Sequence, residues 1–195
     1  TQNVTPWAQE KLFQSINHRY VNRLAMIIST NQDLAEIDGR ISSRLRDPEL
    51  VTTVRISAPD YRSPVAEAEK TPVSTLHLLN DRTFGSFSLR EHERLPAEEQ
   101  QSLARAFHTA QEFSENPRGW LMLMGTYGCG KTHLAAAIGN YRASMGEEPL
   151  FVVVPDLLDH LRATFSPSSM VSYDRLFEEV RSAQLLILDD LGTPR

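Results

Sequence analysis

Trp120-Leu121-Met122-Leu123-Met124-Gly125-Thr126-Tyr127-Gly128-Cys129-Gly130-Lys131-Thr132 is the stretch that orders the rest of the chain. Five apolar residues in a row read as a strand buried on both faces. The next eight fit the spacing G-x-x-x-x-G-K-[ST], and a helix-forming segment, Lys131–Met145, stands directly behind them. The glycines let the backbone turn so that consecutive N–H groups point inward, and the helix N-terminus adds its partial positive charge. Together these make a receptor for phosphate oxygens. Lys131 is then placed to reach the β and γ phosphates of a nucleotide, and the Thr132 hydroxyl to ligate Mg²⁺. The alternative is a glycine-rich turn that happens to end in Lys-Thr, and a strand before it with a helix after it is the context that argues against this.

Further along, Leu185-Leu186-Ile187-Leu188 delivers two carboxylates, Asp189 and Asp190, to the carboxyl end of a second apolar strand. That end is where ligands bind in open parallel sheets. Asp189 reads as a partner of the Mg²⁺ shell and Asp190 as the group that polarises an attacking water, against the plainer reading of a strand closed by an acidic turn. Strands at Trp120–Met124, Leu150–Val154 and Gln184–Leu188 alternate with helices at Lys131–Met145, Asp156–Phe165 and Ser172–Ser182. Such alternation predicts an α/β fold, a parallel sheet covered on both faces. The γ-phosphate of such a site is sensed from a strand between the loop strand and the Asp-bearing strand, and nothing after Asp190 supplies one. The N-terminal third must therefore supply it.

That third begins with Thr5-Pro6, a cap and a first-turn proline, and carries an apolar face through Leu12, Phe13, Ile16 and Tyr20, which predicts a helix over about 6–22. A strand over Ala25–Ser29 exits into Thr30-Asn31, a short basic helix spans Gly39–Asp47, and Leu50–Ile56 is a further strand. Residues 58–80, with Pro59, Pro64 and Pro72, show no period and read as a linker. Pro96 opens another helix, with Glu98 and Glu99 in its first turn and a stripe of Leu103, Ala106, Phe107, Ala110 and Phe113. The expected sheet order is Leu50–Ile56, Trp120–Met124, Ala25–Thr30, the Asp-bearing strand, then Leu150–Val154 at the far edge. The whole of 1–195 is expected to be one domain, with 1–57 and 81–195 as its two parts.

Composition sets the outer bounds. With 195 residues, 41% hydrophobic and 23% charged, the chain has enough apolar material for one well-buried core. A net charge of −5 argues against a surface that is basic throughout, although a local basic groove for nucleic acid is compatible with it. The single cysteine, Cys129, cannot form an internal disulfide or a thiolate metal cluster, which points to a reducing compartment, the cytoplasm. The apolar runs fall far short of the roughly 18 residues a membrane span requires, and no signal peptide precedes Trp7, so no membrane partner is expected.

Gly130-Lys131-Thr132-His133-Leu134-Ala135 with Ala137-Ile138-Gly139-Asn140, and Leu188-Asp189-Asp190-Leu191-Gly192, resemble the Walker A and Walker B motifs of AAA+ ATPases of the bacterial helicase-loader (DnaC/DnaI-like) and IstB-like group. The resemblance covers nearly the whole chain in permuted order: the stretch resembling Thr5–Tyr20 follows Walker B directly in that family. The fold it implies is a P-loop NTPase of AAA+ type with permuted connectivity. Ile28-Ser29-Thr30-Asn31 is similar to the family's sensor-1 strand, which implies that Asn31 contacts the γ-phosphate or its attacking water. Gly39–Leu45 is similar to the segment holding the arginine finger, which makes Arg44 the residue that completes a neighbour's site, with Arg40 and Arg46 as rivals and a solvated basic helix as the plain alternative. Arg82-Thr83-Phe84-Gly85-Ser86-Phe87 resembles the linker that lies against adenine, although Phe84 and Phe87 also suit a core role. Ala58–Arg62 resembles the family's closing Tyr-Arg, with Arg62 in the place of a sensor-2 arginine.

The resemblance implies ATP and Mg²⁺ as ligands. Nucleotide contacts are expected from Gly125, Thr126, Tyr127, Gly128, Cys129, Gly130, Lys131, Thr132 and His133, metal contacts from Thr132 and Asp189, and catalysis from Lys131, Asp190, Asn31 and Arg44. His133 also suits plain packing at a helix start, and Cys129, at a helix N-terminus, invites the idea of a lowered thiol pKa. The function implied is a helicase loader acting in DNA replication, with a replicative helicase and single-stranded DNA as partners and self-association through the arginine finger. An IstB-like transposition helper and a non-hydrolysing, ATP-dependent assembly switch are the other classes that remain open.

Overall fold

The computed structural model describes residues 6–58, 74–163 and 173–192. Five short strands form one sheet: β1 (Met26–Thr30), β2 (Val51–Ile56), β3 (Trp120–Gly125), β4 (Leu150–Val153) and β5 (Leu186–Asp189). Their order is β2-β3-β1-β5-β4, and every neighbouring pair is parallel. This is the order expected from the sequence, with β1 between the loop strand and the Asp-bearing strand. Because all five run the same way, Gly125, Thr30 and Asp189 end on one edge of the sheet, where ligands of parallel sheets collect.

Among the described residues six α-helices cover the two faces: α1 (Pro6–Val21), α2 (Gly39–Leu45), α3 (Ala97–Glu115), α4 (Lys131–Ser144), α5 (Val154–Ala163) and α6 (Tyr173–Ser182). Successive side chains of a strand point to opposite faces, and the two cores divide accordingly. Met26, Ile28, Trp120, Met122, Leu186 and Leu188 pack with α1, α2, α5 and α6. Ile27, Leu121, Leu123, Phe151 and Ile187 pack with α3 and α4. The central strand β1 is buried along its whole length, which explains its unbroken apolar run. The edge strand β2 shows solvent Thr52, Thr53 and Arg55 and buries Val54 and Ile56.

Several boundaries moved. The helix after β4 starts at Val154, with Pro155 in its first turn, where its missing N–H is no loss. The connector of 58–80 is not irregular throughout: Leu76–Leu79 form a 3-10 turn against α4, and Thr75 N–H donates to Phe151 O at 3.0 Å. Arg62 and most of that linker lie outside the described residues. Among the described residues no helix is long and apolar enough to cross a membrane.

Candidate nucleotide site

The loop between β3 and α4 is built around glycines that nothing else can replace. Gly130 caps α4 at φ +103°, in the left-handed region, and a Cβ there would stand 2.9 Å from the Phe87 ring. A Cβ on Gly125 would collide with the Ile56 carbonyl and the Cys129 thiol. The loop therefore turns as bare backbone at the start of α4, whose first-turn N–H groups have no partner within the helix.

Lys131 is only 5% exposed. Its Nζ donates to Gly125 O at 3.0 Å and Thr126 O at 2.7 Å and lies 3.9 Å from Cys129 Sγ, so its contacts are two carbonyls and a thiol rather than a carboxylate. Held by neutral oxygens, the Lys131 side chain is available to an anion that enters the loop. Thr132 Oγ1 donates to Asp189 Oδ2 at 2.9 Å, and this bond joins the two motifs across the intervening strand β1.

Asp189 is 2% exposed, and its other oxygen accepts a short hydrogen bond from Ser29 Oγ. Burial, and secondarily the charge of Asp190, raise its pKa. The Ser29 and Thr132 hydroxyls and the Lys131 ammonium act in the opposite direction. A carboxylate and a hydroxyl oxygen facing each other in this way suit Mg²⁺, which takes one or two protein oxygens and completes its shell with phosphates and water. Asp190 follows at φ +56°, with its N–H on Ser29 Oγ at 3.2 Å.

The expected residues fall into three groups. Gly125 to Thr132, Asp189 and Asp190 converge on one edge, and Asn31 stands half-buried at the exit of β1 on the same edge. His133 does not face the Asp189 cluster. Its Nε2 lies 2.9 Å from Thr83 O, its ring meets Phe87 edge-on at 5.1 Å, and burial lowers its pKa. Together with Asn140 Nδ2, which donates to Leu79 O and Arg82 O at 2.8 Å each, it pins the 79–87 segment along α4. Phe84 and Phe87 pack on Phe107, the core role left open from the sequence.

Arg44 lies apart from the loop in its own chain. Its Nε and Nη2 donate to Asn17 Oδ1 at 3.0 and 2.6 Å, Nη1 donates to Arg40 O, and the guanidinium stacks on Phe13. Its rival Arg40 is paired with Glu10 and Asp38. Cys129 corrects an expectation. It is 3% exposed, and burial raises its thiol pKa rather than the helix terminus lowering it.

One site residue and one structural residue escaped the sequence reading. Ser29 binds both Asp189 and Asp190 at the site. At the opposite end of the strands Arg19, fully buried on α1, donates to the carbonyls of Val180, Arg181 and Ala183 that close α6 ahead of β5. Desolvation lowers the Arg19 pKa to about 10.

Residues 66–194 match the family model described as IstB-like ATP binding protein. The chain belongs to the IstB-like ATP-binding family. Among curated proteins, this IstB-like chain is 40% identical over 83 residues to the replicative helicase loader DnaC of Buchnera aphidicola subsp. Acyrthosiphon pisum, covering 43% of the chain and 33% of the relative. It is 31% identical over 120 residues to the DnaC of Escherichia coli K12, covering 57% and 48%. It is also 27% identical over 181 residues to the chromosomal replication initiator DnaA of Wolinella succinogenes, covering 90% and 36%. The chain thus spans a third to a half of the length of these relatives. No solved structure matches it.

Proposed function

We propose that this IstB-like chain binds ATP with Mg²⁺ at the β3–α4 loop, hydrolyses it, and uses the cycle to load a replicative helicase onto single-stranded DNA. The observation that carries the reading is the 2.9 Å hydrogen bond from Thr132 to Asp189, which brings together two oxygen donors 57 residues apart in sequence. Thr132 and Asp189 would hold Mg²⁺, which when bound offsets the charge of the phosphates. Lys131 exchanges its carbonyl partners for β and γ phosphate oxygens, trading neutral hydrogen bonds for stronger charge-assisted ones. The Asp190 carboxylate takes the proton of a water as the water oxygen bonds to the γ-phosphorus and the bond to the departing diphosphate breaks. Asn31, at the end of the middle strand, orients that water. Arg44 serves the site of an adjacent subunit, where a guanidinium stabilises the charge developed in phosphoryl transfer. On this reading 1–195 acts as one unit: residues 1–57 supply the middle strand and the arginine, 81–195 supply the loop and the acidic pair, and 58–80 connect them.

The test is a pair of variants. Lys131→Ala should weaken ATP affinity by about 10- to 100-fold, the loss of one charged contact. Asp190→Asn should keep Mg²⁺-dependent ATP binding while losing at least about 100-fold in turnover, the scale of a missing proton acceptor. Absence of ATP uptake by the unaltered chain would end the proposal, and wild-type turnover by Asp190→Asn would remove hydrolysis from it.

The curated relatives named as replicative helicase loaders favour the loader reading. The family description favours no DNA form, so a transposition helper acting on duplex stays as the second reading. Affinities for single- and double-stranded oligonucleotides at one fixed salt concentration separate the two.

A further inference from the structure

Ser29 is fully buried at the centre of the sheet, one of the few polar side chains there. A buried hydroxyl costs stability unless its hydrogen bonds are met, and here both are met by the same short segment. Its Oγ donates to Asp189 Oδ1 and accepts from the Asp190 N–H at 3.2 Å. One oxygen therefore fixes the side chain of the first carboxylate residue and the backbone of the second.

Two further bonds extend the tie. Leu191 N–H donates to Ser29 O at 2.9 Å, and Thr30 Oγ1 donates to Leu191 O at 2.7 Å. Gln32 N–H in turn donates to Thr30 Oγ1 at 3.1 Å, so the exit of β1 and the exit of β5 are laced together. The lacing matters because Asp190 sits at φ +56°, a conformation that a non-glycine residue keeps only where its surroundings hold it.

The two oxygens of Asp189 are also divided. Oδ1 is committed to Ser29, which leaves Oδ2 facing Thr132 and the phosphate loop. Without the Ser29 donor, the carboxylate can rotate about its last bond and lose that alignment.

We propose that Ser29 is a positioning residue for the nucleotide site: it orients the Asp189 carboxylate toward the metal position and fixes the backbone that presents Asp190 to the attacked phosphate. It touches neither ligand itself. The proposal rests on the Mg²⁺·ATP reading of the site, and its test keeps the two apart.

The experiment compares the unaltered chain with Ser29→Ala and Ser29→Thr, measuring ATP affinity in EDTA and in saturating Mg²⁺, turnover, and urea unfolding as a check on folding. For the unaltered chain, no gain in affinity from Mg²⁺ would overturn the site reading itself, whatever Ser29 does. Given that gain, Ser29→Ala is expected to bind ATP in EDTA within about twofold of wild type. It should lose about tenfold of the Mg²⁺-dependent gain and about tenfold in turnover, the scale of one hydrogen bond to a charged group. A folded Ser29→Thr, which restores the hydroxyl, should recover both. The positioning role is overturned if Ser29→Ala keeps the full Mg²⁺ gain and turnover. It is equally overturned if affinity falls by the same factor with and without Mg²⁺, or if a folded Ser29→Thr fails to recover.

Discussion

Asp189→Asn should stabilise this protein while abolishing the Mg²⁺-dependent part of its ATP binding. The carboxylate is 2% exposed, and its pKa is raised above the usual 3.8, chiefly by burial. A group whose pKa is higher folded than unfolded favours the fold when protonated. Its contribution is fully present below the unfolded pKa and is lost as pH rises through the folded one. Above the folded pKa of Asp189 the chain therefore carries the cost of a buried charge, relieved in part by Ser29, Thr132 and Lys131.

An asparagine is nearly isosteric. Its amide oxygen can accept from one of the two hydroxyls, and its NH₂ can donate to the other, so no polar atom is orphaned. Replacing a buried ion pair by neutral groups of similar volume ranges from neutral to about 1–4 kcal/mol stabilising, and Asp189, which has hydroxyl donors rather than a salt-bridge partner among the described residues, is taken to fall within that range. The attraction to Lys131 that is lost with it takes the expectation to the lower half, about 1–2 kcal/mol. For a chain of this size that is a rise in Tm of roughly 2–8 °C. Urea unfolding at pH 8 should show the gain as a higher midpoint at unchanged slope. The gain should shrink as pH falls through the folded pKa of Asp189 and vanish once the wild-type carboxyl is protonated. A variant that is less stable at pH 8, or a stability difference that does not change with pH, would refute this account of Asp189.

Gly125→Ala should lose ATP binding and stability together, by about 3 kcal/mol or more in a urea melt, because the added methyl meets the Ile56 carbonyl and the Cys129 thiol. Arg19→Met should leave buried carbonyls at the end of α6 without a donor and lower stability by about 2–4 kcal/mol, read by thermal melting with the ATP-binding loop unchanged. Specific turnover should rise with protein concentration, and Arg44→Ala should flatten that rise, whereas a rate per subunit that is already flat for wild type across a wide dilution removes the role of Arg44 in trans. Cys129 should react with a thiol reagent at least about 10-fold more slowly in the folded chain than in urea, since its thiol is both buried and raised in pKa.

The sheet was legible because its strands announce themselves in two ways. Trp120–Met124 and Leu185–Leu188 are apolar without a break, so the strands they form had to be covered on both faces. The phosphate loop then fixed which end of β3 carries the site. The place of β1 followed from function rather than propensity, since a site made from β3 and β5 requires a strand between them. Its hydroxyls were less legible. Ser29 was read only as the last residue of its strand, and only the parallel register, which sets Met26 beside Leu186 and Ile28 beside Leu188, brings it level with Asp189. Arg19 shares a helix face with the buried Ile16, three residues earlier, yet its charge argued for solvent. What buries it is a set of carbonyls at the end of α6, and no pattern within α1 announces them. Cys129 misled because a helix N-terminus lowers a thiol pKa only where the thiol can still be solvated, and here the side chain is pressed beneath the loop against Gly125.

The same geometry separates what the two parts of the chain can do alone. Residues 81–192 hold the loop, α4 and β5, and with them every contact of Lys131 and the Thr132–Asp189 bond. On the proposed reading these bring together the groups that would meet phosphate and Mg²⁺. Neither the Ser29 hydroxyl that divides the Asp189 oxygens nor the backbone that holds Leu191 belongs to that part, since both come from β1. On the proposed reading, affinity for the triphosphate is therefore largely a property of the β3–α4 unit. The alignment of the two carboxylates depends on β1 lying between β3 and β5, with five of its residues paired to β3 and three to β5. A perturbation that loosens β1 without unfolding the sheet should for that reason lower turnover before it lowers binding.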